Sequence, residues 1–475
     1  MFTIVASLVT VVSGFIRSVL LARLLLPEYF GVVALAMFFL SLTTQVQRFG
    51  LNRAFIHRKD DSPVTLATFA SLRVGLTAVA VVLSLIAAPI LGRLYRGQPG
   101  LAPVLVILAA FELFNAFNAV PQAILAKRLH FRRLAILDVA SSLAMTVVAP
   151  IVAWLGGGVW ALVTEQVTGV LVRTAGLWLY RPPWRPSFGL NKELTRWYFG
   201  FGAFVFANAN LALLLDQFDD FWTGTFLGAT ALGLYSRAYE FARYPRRLLA
   251  GPIVRVFFPV FARLQGDRLR LSKAFYRVCS LIVRVGFLTF GSFTLVVPEF
   301  IRIFLGEKWL PMAVTFQLML VYTLLDPLVA VCNNLLSGVG QPKVITQVRL
   351  VQTVVFIPGV VVLAHFYGIN GVAMATDLML VAGIVLLFQG ARRYVDFSLL
   401  RMFLVPVLGL VLALSTTIWV QTQLPTLNAV LTLLSKAIVT IVVYGVVLLV
   451  FEREEVLSAV RLVLSLSIRR SRFSL

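Results

Sequence analysis

The chain has 475 residues, of which 60% are hydrophobic and 13% charged, and its formal net charge is +22. Soluble domains are about half apolar and about a quarter charged, so this composition excludes a soluble enzyme. It also makes the basic excess the summed loop charge of a membrane protein rather than a nucleic-acid-binding surface.

Fourteen apolar stretches follow one another, each near the roughly 20 residues that a membrane-spanning helix needs. The first six are expected at 1–22, 31–50, 64–90, 102–126, 134–155 and 158–180. The next eight are expected at 198–222, 230–261, 272–298, 312–338, 343–366, 370–391, 401–421 and 428–451. The run at 1–22 has no basic leader and no cleavage site at a turn, so it reads as span 1 rather than a signal peptide, with a shortened lead-in before it. The longest polar segments, 181–196 and 452–475, are too short for a soluble domain. The fold class is therefore an all-α polytopic membrane protein.

Basic residues alternate between gaps. The gap after span 2 holds Arg48, Arg53, Arg58 and Lys59, and the gap after span 4 holds Lys127, Arg128, Arg132 and Arg133. The same pattern recurs after spans 6, 8, 10 and 12 and in the C-terminal tail. The odd gaps hold only Arg23, Arg93, Arg96, Arg302 and Lys308, which is 5 against 27. The positive-inside rule then puts the even gaps and both termini in the cytoplasm.

Spans 1–2 and 7–8 resemble each other at a shift of 202 residues, with Leu25, Gly31 and Ala36 matching Leu227, Gly233 and Ala238. A second echo is Gly158-Val159 against Gly371-Val372. Six spans separate the copies, so both face the same way, as in a parallel repeat. The expected division is an N-terminal lobe at 1–180, a cytoplasmic linker at 181–197, a second lobe at 198–391, and accessory spans 13 and 14 with a tail at 392–475.

Charges at membrane depth are costly and face a cavity or a partner. Arg17, Arg255 and Arg284 lie well inside spans 1, 8 and 9; Arg73 and Arg173 lie closer to span ends, where snorkelling explains them. Span 8 also carries Arg237, Arg243, Arg246 and Arg247, with Pro245, Gly251 and Pro252 as points of bending. It reads as a cationic lining or as a helix projecting into the cytoplasm. Asp216, Asp219 and Asp220 share one face of span 7. They are candidates for ion pairing or ion coupling, with outer headgroup placement as the alternative. Under the 202-residue shift Asp219 corresponds to Arg17, so the two are candidates to face each other. Glu240 is placed to pair with Arg237 or Arg243. Cys279 and Cys332 sit in apolar runs as small buried side chains, and His57, His130 and His365 have no ligand spacing. No metal or cofactor site is expected, and no phosphate loop or nucleophile elbow is present.

Five segments carry a family resemblance: ARLLLPEYFG (22–31), DDFWTGTFLGATALGLYSRAY (219–239), VFFPVFARLQGD (256–267), FLGEKWLP (304–311) and LLSGVGQPK (335–343). In these the chain resembles the polysaccharide transporter branch of the MOP flippase superfamily, which holds the Wzx-type flippases and is related to the MurJ-type lipid II flippases and the MATE exporters. The FLGEKW segment is most similar to the colanic-acid and lipopolysaccharide exporter branch. Asp220 departs from the pattern, where a basic residue is expected beside Asp219.

The resemblance implies two pseudo-symmetric lobes around a central cavity working by alternating access. It implies an undecaprenyl-pyrophosphate-linked oligosaccharide as cargo, moved to the outer leaflet of the bacterial inner membrane for lipopolysaccharide or exopolysaccharide synthesis. Membrane lipids and polysaccharide polymerase machinery are the implied partners. Arg suits a diphosphate because its planar fork grips phosphate oxygens in pairs, which makes Arg17, Arg255 and Arg284 the candidate binders. Two other functions remain open. A cation-coupled MATE-like exporter would carry fewer deep arginines, because its substrates are cationic. A membrane-embedded glycosyltransferase or polymerase would need a long loop bearing acid, base or metal-binding residues.

Overall fold

The computed structural model describes residues 2–45, 51–58, 60, 62–179, 182–424 and 428–455, apart from the side chains of 2–4, 53, 56–57, 201–205, 207–209 and 245–256. The described residues form helices and turns, without strands. They fall into two compact units, Met1–Ser236 and Arg237–Leu475.

The first unit contains α1 (Phe2–Leu24), α2 (Pro27–Thr44), the short α3 (Leu51–His57), α4 (Pro63–Leu94), α5 (Leu101–Lys127), α6 (Phe131–Trp154), α7 (Val159–Trp178), α8 (Lys192–Trp222) and the start of α9 (Ala229–Leu264). The second unit holds the rest of α9, then α10 (Arg268–Thr294), the one-turn α11 (Val297–Phe300), α12 (Ala313–Gly338), α13 (Pro342–Ala391), α14 (Leu399–Gln423) and α15 (Ala429–Phe451). Every expected span has a helix. Expected spans 11 and 12 form the single 50-residue element α13, broken internally at Gly368 (φ 56°, ψ −135°). Among the described residues ten helices are long and apolar enough to cross a membrane, with α13 counted once. The more polar α7, α8 and α9 are not among those ten.

Helix ends differ from expectation where a local signal outranks hydropathy. α2 starts four residues early because Pro27 occupies its first turn, where the missing N–H costs nothing. α8 starts six residues early because the Asn191 side chain accepts from the Leu194 N–H at 3.0 Å. Asp267 caps α10 in the same way.

Apolar side chains face outward on the spans, as a lipid solvent requires. On α1, Val5, Leu8, Val12, Ile16 and Leu20 form an exposed stripe, while Ser13 and Arg17 turn to α6 and α7. In the first unit one core gathers Phe55, Phe69, Val120, Ile124, Trp184 and Tyr198 from α3, α4, α5, the linker and α8. In the second, Phe261, Phe275, Leu328, Leu335, Leu387 and Tyr444 join α9, α10, α12, α13 and α15.

The 202-residue shift has a physical trace where α2 meets the start of α9. A Cβ on Gly31 would lie 1.8 Å from the Ala229 carbonyl oxygen, and a Cβ on Gly233 would lie 1.8 Å from the Pro27 carbonyl oxygen. Pro27 and Gly31 shifted by 202 are Ala229 and Gly233, so this close approach is two-fold symmetric in sequence. The second echo needs correction. Gly158 (φ 51°, ψ −127°) has its backbone counterpart in Gly368, not Gly371. Gly371 lies three residues further on, where a Cβ would meet the Leu363 carbonyl oxygen at 1.9 Å. A third echo was missed in the sequence. Phe226-Leu227-Gly228 and Phe304-Leu305-Gly306 each end a five-residue π turn, with glycine φ of 91° and 97°.

Candidate functional site

Arg17 lies on α1 in a polar seam shared with α6 and α7. Its Nε donates to Glu165 Oε1 at 2.9 Å, and its Nη1 reaches the Ser142 carbonyl at 3.3 Å and Thr146 Oγ1 at 3.4 Å. Ser13 and Ser142 hydroxyls share a hydrogen bond of 2.7 Å one turn away. The two charged side chains are 14% and 16% exposed, so the pair is sunk but not sealed. Among the described residues Nε and Nη1 find acceptors and Nη2 takes none. Nothing local in the sequence links Arg17 to Glu165, which stands 148 positions away.

The seam continues along α7. Arg173 Nη2 donates to Asp138 Oδ1 at 2.9 Å, in a pair whose side chains are 36% and 54% exposed. Asn118 donates to Thr174 at 2.7 Å and accepts from the Trp178 indole at 3.0 Å. Beside the Arg173–Asp138 pair opens a cavity of about 260 Å³ lined by Asn52, Gln122, Leu134 and Leu137 among others.

The three acids of α8 separate by burial. Asp216 is exposed, Asp220 is half-buried and Asp219 is buried. Asp219 Oδ2 accepts the Tyr235 hydroxyl at 2.6 Å, so Asp219 and Arg17 have different partners and do not face each other as a pair. On α9, Glu240 pairs with Arg237 at 3.3 Å, one of its two expected partners. Arg243 instead stands 5.0 Å over the Tyr239 ring. α9 runs helically across Pro245 and Pro252, and the Arg246, Arg247 and Arg255 side chains lie outside the described residues.

Arg284 is the most enclosed of the three expected cavity arginines. Its Nε donates to Glu452 Oε2 at 2.9 Å and its Nη2 lies 2.7 Å from Oε1, with side chains only 6% and 9% exposed. Nη1 donates to the Ser280 carbonyl at 2.9 Å, and the Tyr444 hydroxyl donates to the Arg284 carbonyl at 3.1 Å. At the other end of α15, Lys436 holds Glu299 at 2.9 Å. These contacts fasten α15 to α10 and α11 at both ends. Cys279 and Cys332 are free and buried, as their apolar settings predict.

A family model described as "Polysaccharide biosynthesis protein" matches residues 20–314. The chain belongs to this polysaccharide biosynthesis family. The lipopolysaccharide biosynthesis protein WzxC of Escherichia coli K12 is 26% identical, over 80% of this chain and 78% of that protein. The succinoglycan biosynthesis transport protein ExoT of Rhizobium meliloti is 28% identical, over 72% and 68%. In fold, the chain is similar to the lipid II flippase MurJ in an inward closed conformation, with a TM-score of 0.79, 14% identity, and coverage of 96% of this chain and 99% of that one. An inward-facing multidrug resistance MATE family transporter gives 0.58 at 18% identity, over 83% and 94%. The family member described here is thus a multi-pass all-α membrane protein of the MOP architecture.

Proposed function

We propose that the chain is a flippase that carries an undecaprenyl-pyrophosphate-linked oligosaccharide from the cytoplasmic to the outer leaflet of a bacterial inner membrane, for lipopolysaccharide or exopolysaccharide synthesis. The observation that carries this reading is the match over most of the chain to relatives named for lipopolysaccharide biosynthesis and succinoglycan transport. The Arg17 guanidinium, held inside a lipid-spanning helix, supports it: Nη2 can take a diphosphate oxygen while Glu165 and Ser142 keep the side chain in place. The reading includes alternating access between lobes at 1–180 and 198–391, with 181–197 as linker and 392–475 as an accessory segment. It also includes cytoplasmic termini, from loop charge, and work beside a polysaccharide polymerase. The chain acts as a transporter rather than as an enzyme.

Within this proposal Arg17 and Arg255 remain the cargo-binding candidates. Arg284 is read instead as holding α15, because its side chain is only 6% exposed and ion-paired with Glu452. Asp216, Asp219 and Glu240 stay as ion-pairing or coupling candidates. The test is complementation of a bacterium lacking its own exopolysaccharide flippase, scoring surface polymer and inner-leaflet precursor. Restored polymer that is lost in Arg17→Ala at equal protein level supports the reading. Drug resistance without polymer would favour an exporter instead.

A further inference from the structure

The cavity of about 260 Å³ in the first unit lies apart from the contacts that hold Arg17. It opens where α3, α5, α6 and α7 meet. Ala119, Gln122, Ala123 and Ala126 share one face of α5, and the short alanine side chains leave the recess. Leu134, Leu137 and Asp138 line it from α6, Arg173 from α7 and Asn52 from α3. The lining residues of α5, α6 and α7 lie within about two turns of Lys127, Phe131 and Trp178, the helix ends on that side. The recess therefore sits near headgroup level and not in the middle of the hydrocarbon.

Its surroundings are cationic. Between Ala119 and Leu137 the chain carries Lys127, Arg128, Arg132 and Arg133 and no acid. Asp138 is offset by Arg173 at 2.9 Å, and Arg58 and Asp60, beyond α3, offset each other at 3.6 Å. Arg173 uses Nη2 on Asp138, and its Nε and Nη1 meet no acceptor among the described residues. Arg133 Nη2 donates to the Gly176 and Leu177 carbonyls at 3.2 and 3.5 Å, which puts a second guanidinium one turn along α7 from Arg173. The α5–α6 turn exposes Leu129 and Phe131, and Ile136, Leu143 and Val147 continue an exposed apolar track along α6.

We propose that this recess holds the headgroup of an anionic phospholipid, with its phosphate on Arg173 and an acyl chain along the apolar track of α6. A basic pocket between spanning helices at headgroup depth suits such a lipid, because the guanidinium takes phosphate oxygens while the chain covers neighbouring apolar surface. A free phosphate would leave Leu129, Phe131 and Ile136 uncovered. An ethanolamine headgroup would need a carboxylate for its ammonium, and Asp138 is already paired. Under the orientation proposed above the lipid comes from the cytoplasmic leaflet. This goes beyond the flippase reading, because none of these residues is assigned to cargo.

The test is native mass spectrometry of the purified full chain in detergent, with phosphatidylglycerol or phosphatidylcholine of matched chains titrated in. The expected result is one phosphatidylglycerol retained per chain, at least about tenfold more tightly than phosphatidylcholine. Arg173→Gln weakens it, and so does Ala126→Leu, which fills the recess without changing a charge. Arg128→Gln weakens it about fivefold, the effect of one basic residue near an anionic lipid, whereas Lys343→Gln, an exposed charge at the start of α13, leaves it unchanged. Asp138→Asn binds phosphatidylglycerol more tightly than the parent, because it removes the competing carboxylate and releases Arg173; loss of folding cannot produce that gain. Equal retention of the two lipids overturns the proposal, as does binding that survives both Arg173→Gln and Ala126→Leu. Weaker binding in Asp138→Asn also overturns it, and so does displacement of the lipid by equimolar inorganic pyrophosphate, which would make the recess a site for phosphate alone. None of these readouts involves cargo, so a failed site leaves the flippase reading standing.

Discussion

Replacing Glu452 by Ala strands Arg284 in a setting where the pair is 6% and 9% exposed. Breaking a buried pair from one side costs about 3–5 kcal/mol, because a charge is left without compensation, and that is more than about a hundredfold in the unfolding equilibrium. The Ser280 carbonyl, 2.9 Å from Nη1, stays in place and satisfies only part of the guanidinium. Arg284→Ala should cost a similar amount, and the exchange Arg284→Glu with Glu452→Arg should recover a substantial part of the loss. Arg284→Met with Glu452→Leu should be close to neutral, since hydrophobic replacements of both partners frequently are. The assay is a double-mutant cycle on thermal melting in detergent, read beside polymer export in the complementing strain. Strong coupling in stability, with export following protein level, supports the clamp. If Arg284→Ala keeps full stability and loses export, and the exchanged pair fails to rescue, Arg284 is a cargo residue and the argument from burial is wrong.

Three further outcomes follow from the geometry. Arg17→Lys should lose about 10- to 100-fold in flipping rate at normal protein level, because an ammonium cannot hold Glu165 and Ser142 while presenting a planar edge; full activity in the Lys variant would remove the fork from the mechanism. Gly31→Val and Gly233→Val should each lower the melting temperature sharply, since a Cβ 1.8 Å from a carbonyl oxygen must retreat by roughly 1.5 Å to reach ordinary contact, whereas Gly75→Ala, with open space around it, should be neutral or gain up to about 1 kcal/mol. The Asp60 carboxyl between α3 and α4 is held down to about 2, first by the Thr65 hydroxyl and then by the Ser62 N–H, with Arg58 adding attraction. A depressed folded-state value contributes stability above the unfolded range near pH 4 and loses it as pH falls toward 2. Asp60→Asn should therefore melt lower than the parent at pH 7, with the gap closing toward pH 2; a gap independent of pH would exclude the carboxylate as its cause.

The membrane class, a helix at each expected span and several helix starts are properties of sequence alone, because the hydropathy of a span and a cap such as Asn191 or Asp267 act within a few residues. The 202-residue repeat was equally legible, since its Gly31 and Gly233 stand in matching local contexts. Partner choice was not. Arg17 takes Glu165 on α7 and Arg284 takes Glu452 beyond α15, at separations of 148 and 168 residues. Asp219 is buried while Asp216, on the same helix face, is exposed. Spans apolar on all sides carry little periodic signal to say which face meets which neighbour, so helix packing alone decides which buried charge finds which partner. The same packing brings Gln98 to the turn at Thr223, a meeting of two polar residues that no spacing rule connects.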